Sequence, residues 1–281
     1  MKKALSCSGP LSGLTKDPVL LTPAFSSGPE SYGFGYLPQL KADGVTTCVL
    51  TLPDDGYGDL QTAAEYNVHA IRWMAAESGR KVALLGHQHG ALNGLWALRF
   101  WPDLPDKVSE FVALATPFGG TAGAAQLCNV VRRCPASYWQ IATGSRYLAA
   151  LLAKPLPAGP SYTSIATAYD EVITPQPKAS MLPGARNITL QSICPGRPIE
   201  HFSILADNLT YLLVRDALGH PGPADAARIS KSVCTGSLYM PAASKAGVGA
   251  LNGLLGFGTR LLVNAPRSVA QEPATRTYAV G

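Results

Sequence analysis

Charge is scarce in this chain: Asp, Glu, Lys and Arg together make up 15% of 281 residues, against 47% hydrophobic residues. The formal net charge of +5 comes from scattered side chains. With no block of Lys and Arg to follow a phosphate backbone, a nucleic-acid partner is not expected. Long apolar runs are also missing. Nothing approaches the roughly 20 consecutive apolar residues of a membrane-spanning helix, so no transmembrane anchor is expected. Met1-Lys2-Lys3 has the charged start of an export signal but not the apolar stretch that should follow. Either such a segment has been removed or none exists. Histidine is limited to five positions. Close-set Cys pairs of the zinc type are absent, and no carboxylate accompanies His87 and His89 in the chain, so neither a metal nor any other cofactor is expected.

What is present suits a single large domain that handles apolar molecules. A chain of this length can bury about three quarters of its unfolded surface, so residues 1–281 read as one unit. The six cysteines (Cys7, Cys48, Cys128, Cys134, Cys194, Cys234) are even in number. That favours disulfides and an oxidising compartment, although a cytoplasmic location stays open and many pairings are possible. Cys128 and Cys134 are near enough to close a small loop whatever the others do.

Apolar stretches at Val19–Leu21, Val45–Leu52, Val82–Leu85 and Phe111–Ala115 alternate with helical patterns. The clearest helix is Asp59 to Ser78, where Leu60, Ala64, Val68, Ile71 and Ala75 recur at helical spacing. Asp59 is placed to cap it and Gly79 to stop it. Further strands are expected at Ser161–Ala166 and Asn187–Ile193, then a helix from about Phe202 to Leu218. Such alternation predicts an α/β fold, a mostly parallel sheet with helices on both faces and ligands at the carboxyl ends of its strands. Residues 118–160 read as a Gly/Ala-rich insertion that caps the site. Ala246 to Val263 reads either as a docked terminal helix or as a pocket wall.

Between the strand at Val82–Leu85 and a helix beginning near Ala91 lies Gly86-His87-Gln88-His89-Gly90. Strand, five-residue turn and helix together form the nucleophile elbow of an α/β-hydrolase, with glycines where the turn and the strand–helix packing are tightest. The middle residue, however, is glutamine. A carboxamide cannot be deprotonated to an attacking oxyanion, so ordinary acyl-enzyme chemistry is closed. In this architecture the acid and then the histidine follow the elbow in the chain. Asp170 stands just past the strand at Ser161–Ala166, and His201 stands before the helix expected from Phe202. His69 falls inside a helix and His220 in a Gly-Pro turn, positions that suit structural or exposed roles. Glu200, beside His201, is expected to face solvent.

At these residues the chain resembles the Candida antarctica lipase B-like α/β-hydrolase family, as a bacterial relative. The likeness runs through Leu5-Ser6-Cys7, Gly28-Pro29-Glu30-Ser31-Tyr32, Thr47-Cys48, Pro135-Ala136-Ser137-Tyr138-Trp139-Gln140 with Thr143-Gly144-Ser145, Tyr169-Asp170-Glu171-Val172 with Pro175-Gln176, and Tyr278-Ala279-Val280-Gly281. It implies Asp170 and His201 as catalytic acid and base, His89 as an oxyanion donor through its backbone N–H, and disulfides Cys7–Cys48 and Cys194–Cys234, leaving Cys128–Cys134 as an extra bridge. It also places Leu21-Thr22-Pro23-Ala24-Phe25 at the first oxyanion loop, where Ala24 and Phe25 stand in place of a small glycine and a threonine. Glutamine is larger than the alanine normally used to silence a nucleophile, and the oxyanion loop has changed as well. Both facts favour a natural redesign.

Loss of the nucleophile costs on the order of a millionfold in a well-studied serine protease. The leading expectation is therefore a non-hydrolytic enzyme in which the Asp170–His201 dyad moves protons on a hydrophobic small molecule, in a cyclisation, elimination or isomerisation, with Gln88 orienting the substrate. One alternative is a secreted lipase or esterase with an altered nucleophile. Another is a non-catalytic binding protein built on the same pocket.

Overall fold

Every second residue of the central strands faces the same side, and this alternation sorts the interior into two apolar layers. The computed structural model describes residues 4–25, 28, 30–245 and 268–280. The stretch Ala246 to Val263 lies outside the described residues. Strands β1 (Leu5–Cys7), β2 (Val19–Thr22), β3 (Thr47–Leu50), β4 (Val82–His87), β5 (Val108–Leu114), β6 (Ser161–Ala166) and β7 (Arg186–Thr189) form one sheet. Their order is β1-β3-β2-β4-β5-β6-β7, parallel except for β1, which runs antiparallel to β3. Leu20, Leu84 and Phe111 face one layer, while Leu21, Leu85 and Val112 face the other. Burial on both faces is what near-continuous apolar strands predict.

The first layer is filled by α3 (Leu60–Ser78), α4 (His89–Phe100) and α7 (Arg146–Leu152). The second is filled by α2 (Tyr36–Ala42), which follows the short α1 (Glu30–Gly33), and by α9 (Asn208–Gly219). Asp59 caps α3 by accepting the Gln61 N–H at 3.0 Å, and Gly79 ends the helix in the left-handed region at φ 64°. Two short helices, α8 (Leu190–Ile193) and α10 (Pro241–Lys245), complete the count among the described residues, together with α5 (Ala122–Val131) and α6 (Ala136–Ile141).

Two element boundaries depart from the sequence reading. The strand expected to Ile193 ends at Thr189, and α8 takes over at Leu190. The helix expected from Phe202 starts only at Asn208, after a separate 3-10 turn at Ser203–Leu205. Asp207 decides this boundary because its carboxylate accepts the Thr210 N–H at 2.7 Å, a side-chain cap that outweighs the apolar residues ahead of it. Residues 118–160 carry α5, α6 and α7, with Thr121 tied to the loop after β6 through Thr121 Oγ1–H to Val172 O at 2.7 Å.

Both disulfides implied by the family resemblance, Cys7–Cys48 and Cys194–Cys234, are formed, and so is the extra local bridge Cys128–Cys134. They are compatible with an oxidising compartment. Among the described residues no helix is long and apolar enough to cross a membrane.

Candidate active site

The carboxyl ends of β2, β4, β5 and β6 lie side by side, with Thr22 opposite Gly86 and His87 opposite Leu114. Gln88 follows β4 with φ 51° and ψ −128°, a conformation that L residues rarely adopt, before α4 begins at His89. Backbone sterics hold it there. A Cβ on Gly86 would lie 2.4 Å from the Ala91 nitrogen, and one on Gly90 would lie 2.2 Å from the Thr22 carbonyl oxygen. The Gln88 N–H is fixed to Leu114 O at 2.9 Å. Strain of this kind costs about 1–3 kcal/mol and persists only where the surroundings over-determine it. The Gln88 side chain is buried, and among the described residues its Nε2 makes no hydrogen bond.

Beyond β6 the chain turns so that Asp170 points back across the sheet edge. Asp170 Oδ1 accepts the backbone N–H groups of Val172 at 3.0 Å and Ile173 at 2.7 Å. Both Asp170 oxygens lie 3.0 Å from His201 Nδ1, with the two side chains buried. A carboxylate can only accept, so Nδ1 carries the proton and Nε2 is the ring atom able to take or give one. The main chain of His201 is gripped as well. Its N–H donates to Glu171 Oε2, and its carbonyl accepts from His87 Nε2, each at 3.2 Å. Burial first, and then the nearby His201 ring, hold the His87 imidazole well below its ordinary titration range, so it stays a neutral donor. His87 and His89 therefore face different partners, and among the described residues no group of three His, Cys, Asp or Glu side chains could hold a metal ion.

Several supports of this dyad carry no motif in the sequence. Gln191 bridges the acid loop to the histidine loop: its Oε1 accepts the Ala168 N–H at 2.8 Å, and its Nε2 donates to Thr167 Oγ1 and to Arg197 O, each at 2.9 Å. Arg197 and Asp207 form a buried ion pair at 2.6 Å, and Arg197 also donates to the carbonyls of Val233 and Leu238. Burial raises the Asp207 carboxyl despite the Thr210 and Arg197 contacts. A Gln or an Arg within a loop signals nothing by itself, so only contacts across 6 to 41 residues reveal these roles. Glu200, expected in solvent, is half-buried and accepts the Phe202 N–H at 2.9 Å. His220 lies at the end of α9, 3.3 Å from Asp216. His69 lies within α3 as expected.

In the loop after β2, Ala24 and Phe25 are both buried. The Phe25 ring stacks on that of His89 with centroids 5.2 Å apart and planes 11° from parallel. It also packs against Tyr57 at 5.4 Å and Tyr138 of α6 at 5.0 Å. The Phe25 N–H donates to His89 Nδ1 at 3.3 Å.

A parallel sheet with a strained strand–elbow–helix turn and an aspartate–histidine pair at its carboxyl edge defines an α/β-hydrolase. Within that class the chain resembles lipase B. It is 31% identical to Lipase B of Pseudozyma antarctica over 227 residues, covering 76% of this chain and 65% of that protein. The Aspergillus fumigatus lipase B structure superposes with a TM-score of 0.86 at 25% identity, over 99% of this chain and 70% of that one. A mature-form lipase of Bacillus licheniformis shares the fold, with a TM-score of 0.62 at 17% identity over 76% of this chain and 97% of that one. Both lipase B proteins are fungal. No family model matches the chain.

Proposed function

We propose that this chain is a non-hydrolytic enzyme that moves protons on a hydrophobic carbonyl compound, with His201 as acid–base and Asp170 as its orienting partner. The observation that carries this reading is the buried Asp170–His201 pair beside an elbow whose middle residue cannot be a nucleophile. His201 Nε2 removes a proton from the carbon next to a carbonyl, the step common to isomerisation, elimination and cyclisation, and then gives it to another carbon of the same molecule in an isomerisation, to the departing group in an elimination, or to the oxygen or carbon left anionic by ring closure in a cyclisation. The Gln88 carboxamide, which has an unused donor, orients the substrate oxygen, and the first-turn N–H groups of α4 stabilise the enolate. Residues 118–160 act as the cap over this cleft within one α/β-hydrolase domain, with Ala24, Phe25 and His89 as its substrate-facing wall. The substrate is a small apolar molecule.

The test is deuterium uptake from D2O at the α-carbon of medium-chain ketones and aldehydes, followed by NMR. The wild-type chain is expected to accelerate exchange and His201→Ala to abolish it. Equal exchange by the two sinks the reading. A lipase or esterase reading draws on the 31% identity to Lipase B and is the outcome favoured if Gln88→Ser alone hydrolyses short p-nitrophenyl esters.

A further inference from the structure

Position 88 is not the only part of the elbow turned away from acyl transfer. An oxyanion hole needs backbone N–H groups aimed at the oxygen on which charge develops. Of the two segments that the family resemblance assigns to this task, one has its amide spent: the Phe25 N–H points at the ring of the other segment's own residue, His89, and donates to Nδ1 at 3.3 Å. Because an N–H can only donate, Nδ1 must be bare and the ring proton must sit on Nε2. Burial pushes the His89 imidazole down to about 3, so this tautomer is neutral at any ordinary pH and Nδ1 stays an acceptor.

The aromatic stack closes over the same bond. Phe25 lies flat on His89 and is backed by Tyr57 and Tyr138. Gly56, with φ +79°, seals the far side, where a Cβ would lie 2.9 Å from His89 Nε2 and 3.0 Å from Phe25 Cα. His89 Nε2 is buried and makes no hydrogen bond among the described residues. An unsatisfied buried donor costs about 1–3 kcal/mol, so the ring is not placed here for its own stability.

We propose that His89 is a positioning residue that locks the Phe25 amide onto its own ring and so removes one of the two donors of the oxyanion hole, independently of Gln88. Restoring a hydroxyl at position 88 then does not restore ester hydrolysis. This inference rests on the reading that hydrolysis has been lost, yet it fails separately. Absence of proton exchange in the wild-type chain would end the acid–base reading and leave the lock standing.

The experiment compares Gln88→Ser, Gln88→Ser/His89→Phe and Gln88→Ser/His89→Ala on p-nitrophenyl butyrate, with Phe25 amide hydrogen exchange measured on each. Phenylalanine keeps the stack and lacks only the acceptor, which separates the hydrogen bond from packing; alanine removes both. Gln88→Ser alone is expected to stay near background. The double variants should raise kcat on the order of 100-fold above it, the lower range for one oxyanion donor, with KM little changed. Phe25 amide protection should fall in step. Gln88→Ser matching the double variants in kcat overturns the proposal. So does a folded Gln88→Ser/His89→Phe that stays at the single-variant rate, or a Phe25 amide still protected once the imidazole is gone.

Discussion

The Asp170–His201 side of the candidate site and the elbow side differ in how their polar atoms are used. On the Asp170–His201 side the groups that hold the dyad are paired: the carboxylate with two backbone amides and the ring, the His201 main chain with Glu171 and His87, and the loops with each other through Gln191. On the elbow side Gln88 Nε2 and His89 Nε2 are buried without partners among the described residues, and the Phe25 amide donates to a side chain. Buried polar groups are normally satisfied. The contrast is what the proposed acid–base function would require: the atoms around the Asp170–His201 pair are held by hydrogen bonds, while the side around Gln88 and His89 is held by aromatic packing.

Breaking the hydrogen-bonded side should give the largest effects. Asp170→Asn keeps the shape but no longer holds the His201 tautomer, and it should lower α-carbon exchange by about 10³-fold or more, read by NMR. Next comes the anchor behind it. Arg197→Ala strands the Asp207 charge in the interior and should cost about 3–5 kcal/mol in urea unfolding, whereas Arg197→Met with Asp207→Asn, which keeps the α9 cap, should recover most of that loss. On the elbow side the effect is smaller and of opposite sign. Gln88→Gly should stabilise the fold by about 1 kcal/mol, because it relieves the φ of 51° and removes an unpartnered amide.

A buried carboxyl at the far end of the sheet serves as the control for both sides. Burial pushes Glu110 of β5 up to about 8 against the ordinary 4.5, so the folded chain keeps a proton that the unfolded chain has released. Its contribution to stability is complete below pH 4.5 and is lost as pH rises through about 8. Glu110→Gln should flatten that slope and raise the Tm at pH 8 by roughly 3 °C in thermal melts, without altering exchange at the cleft.

Much of the frame was legible because its signals are local. Val19–Leu21, Val82–Leu85 and Ser161–Ala166 read as strands from short apolar runs, and Asp59 and Gly79 bracket α3 through side-chain and backbone preferences that act over a single turn. The elbow was legible because the glycines at 86 and 90 answer to contacts made within or beside the turn itself. The start of α9 was misplaced because a chain with apolar Phe202, Ile204 and Leu205 ahead of Asp207 offers two acceptable helix starts, and the stronger cap is chosen only once Asp207 also has Arg197 to pair with. Gln191 and Arg197 were missed for the same reason.

By itself the sequence determined the alternation of strands and helices, the elbow and the absence of an attacking hydroxyl, since backbone dihedrals and side-chain chemistry are properties of a residue and its near neighbours. Only the tertiary structure decided that the Phe25 amide faces His89, 64 positions away, and that His87 holds the carbonyl of His201 across 114. Hydrogen bonds over such separations exist only after the sheet has assembled and burial has removed the water that would otherwise compete for each donor.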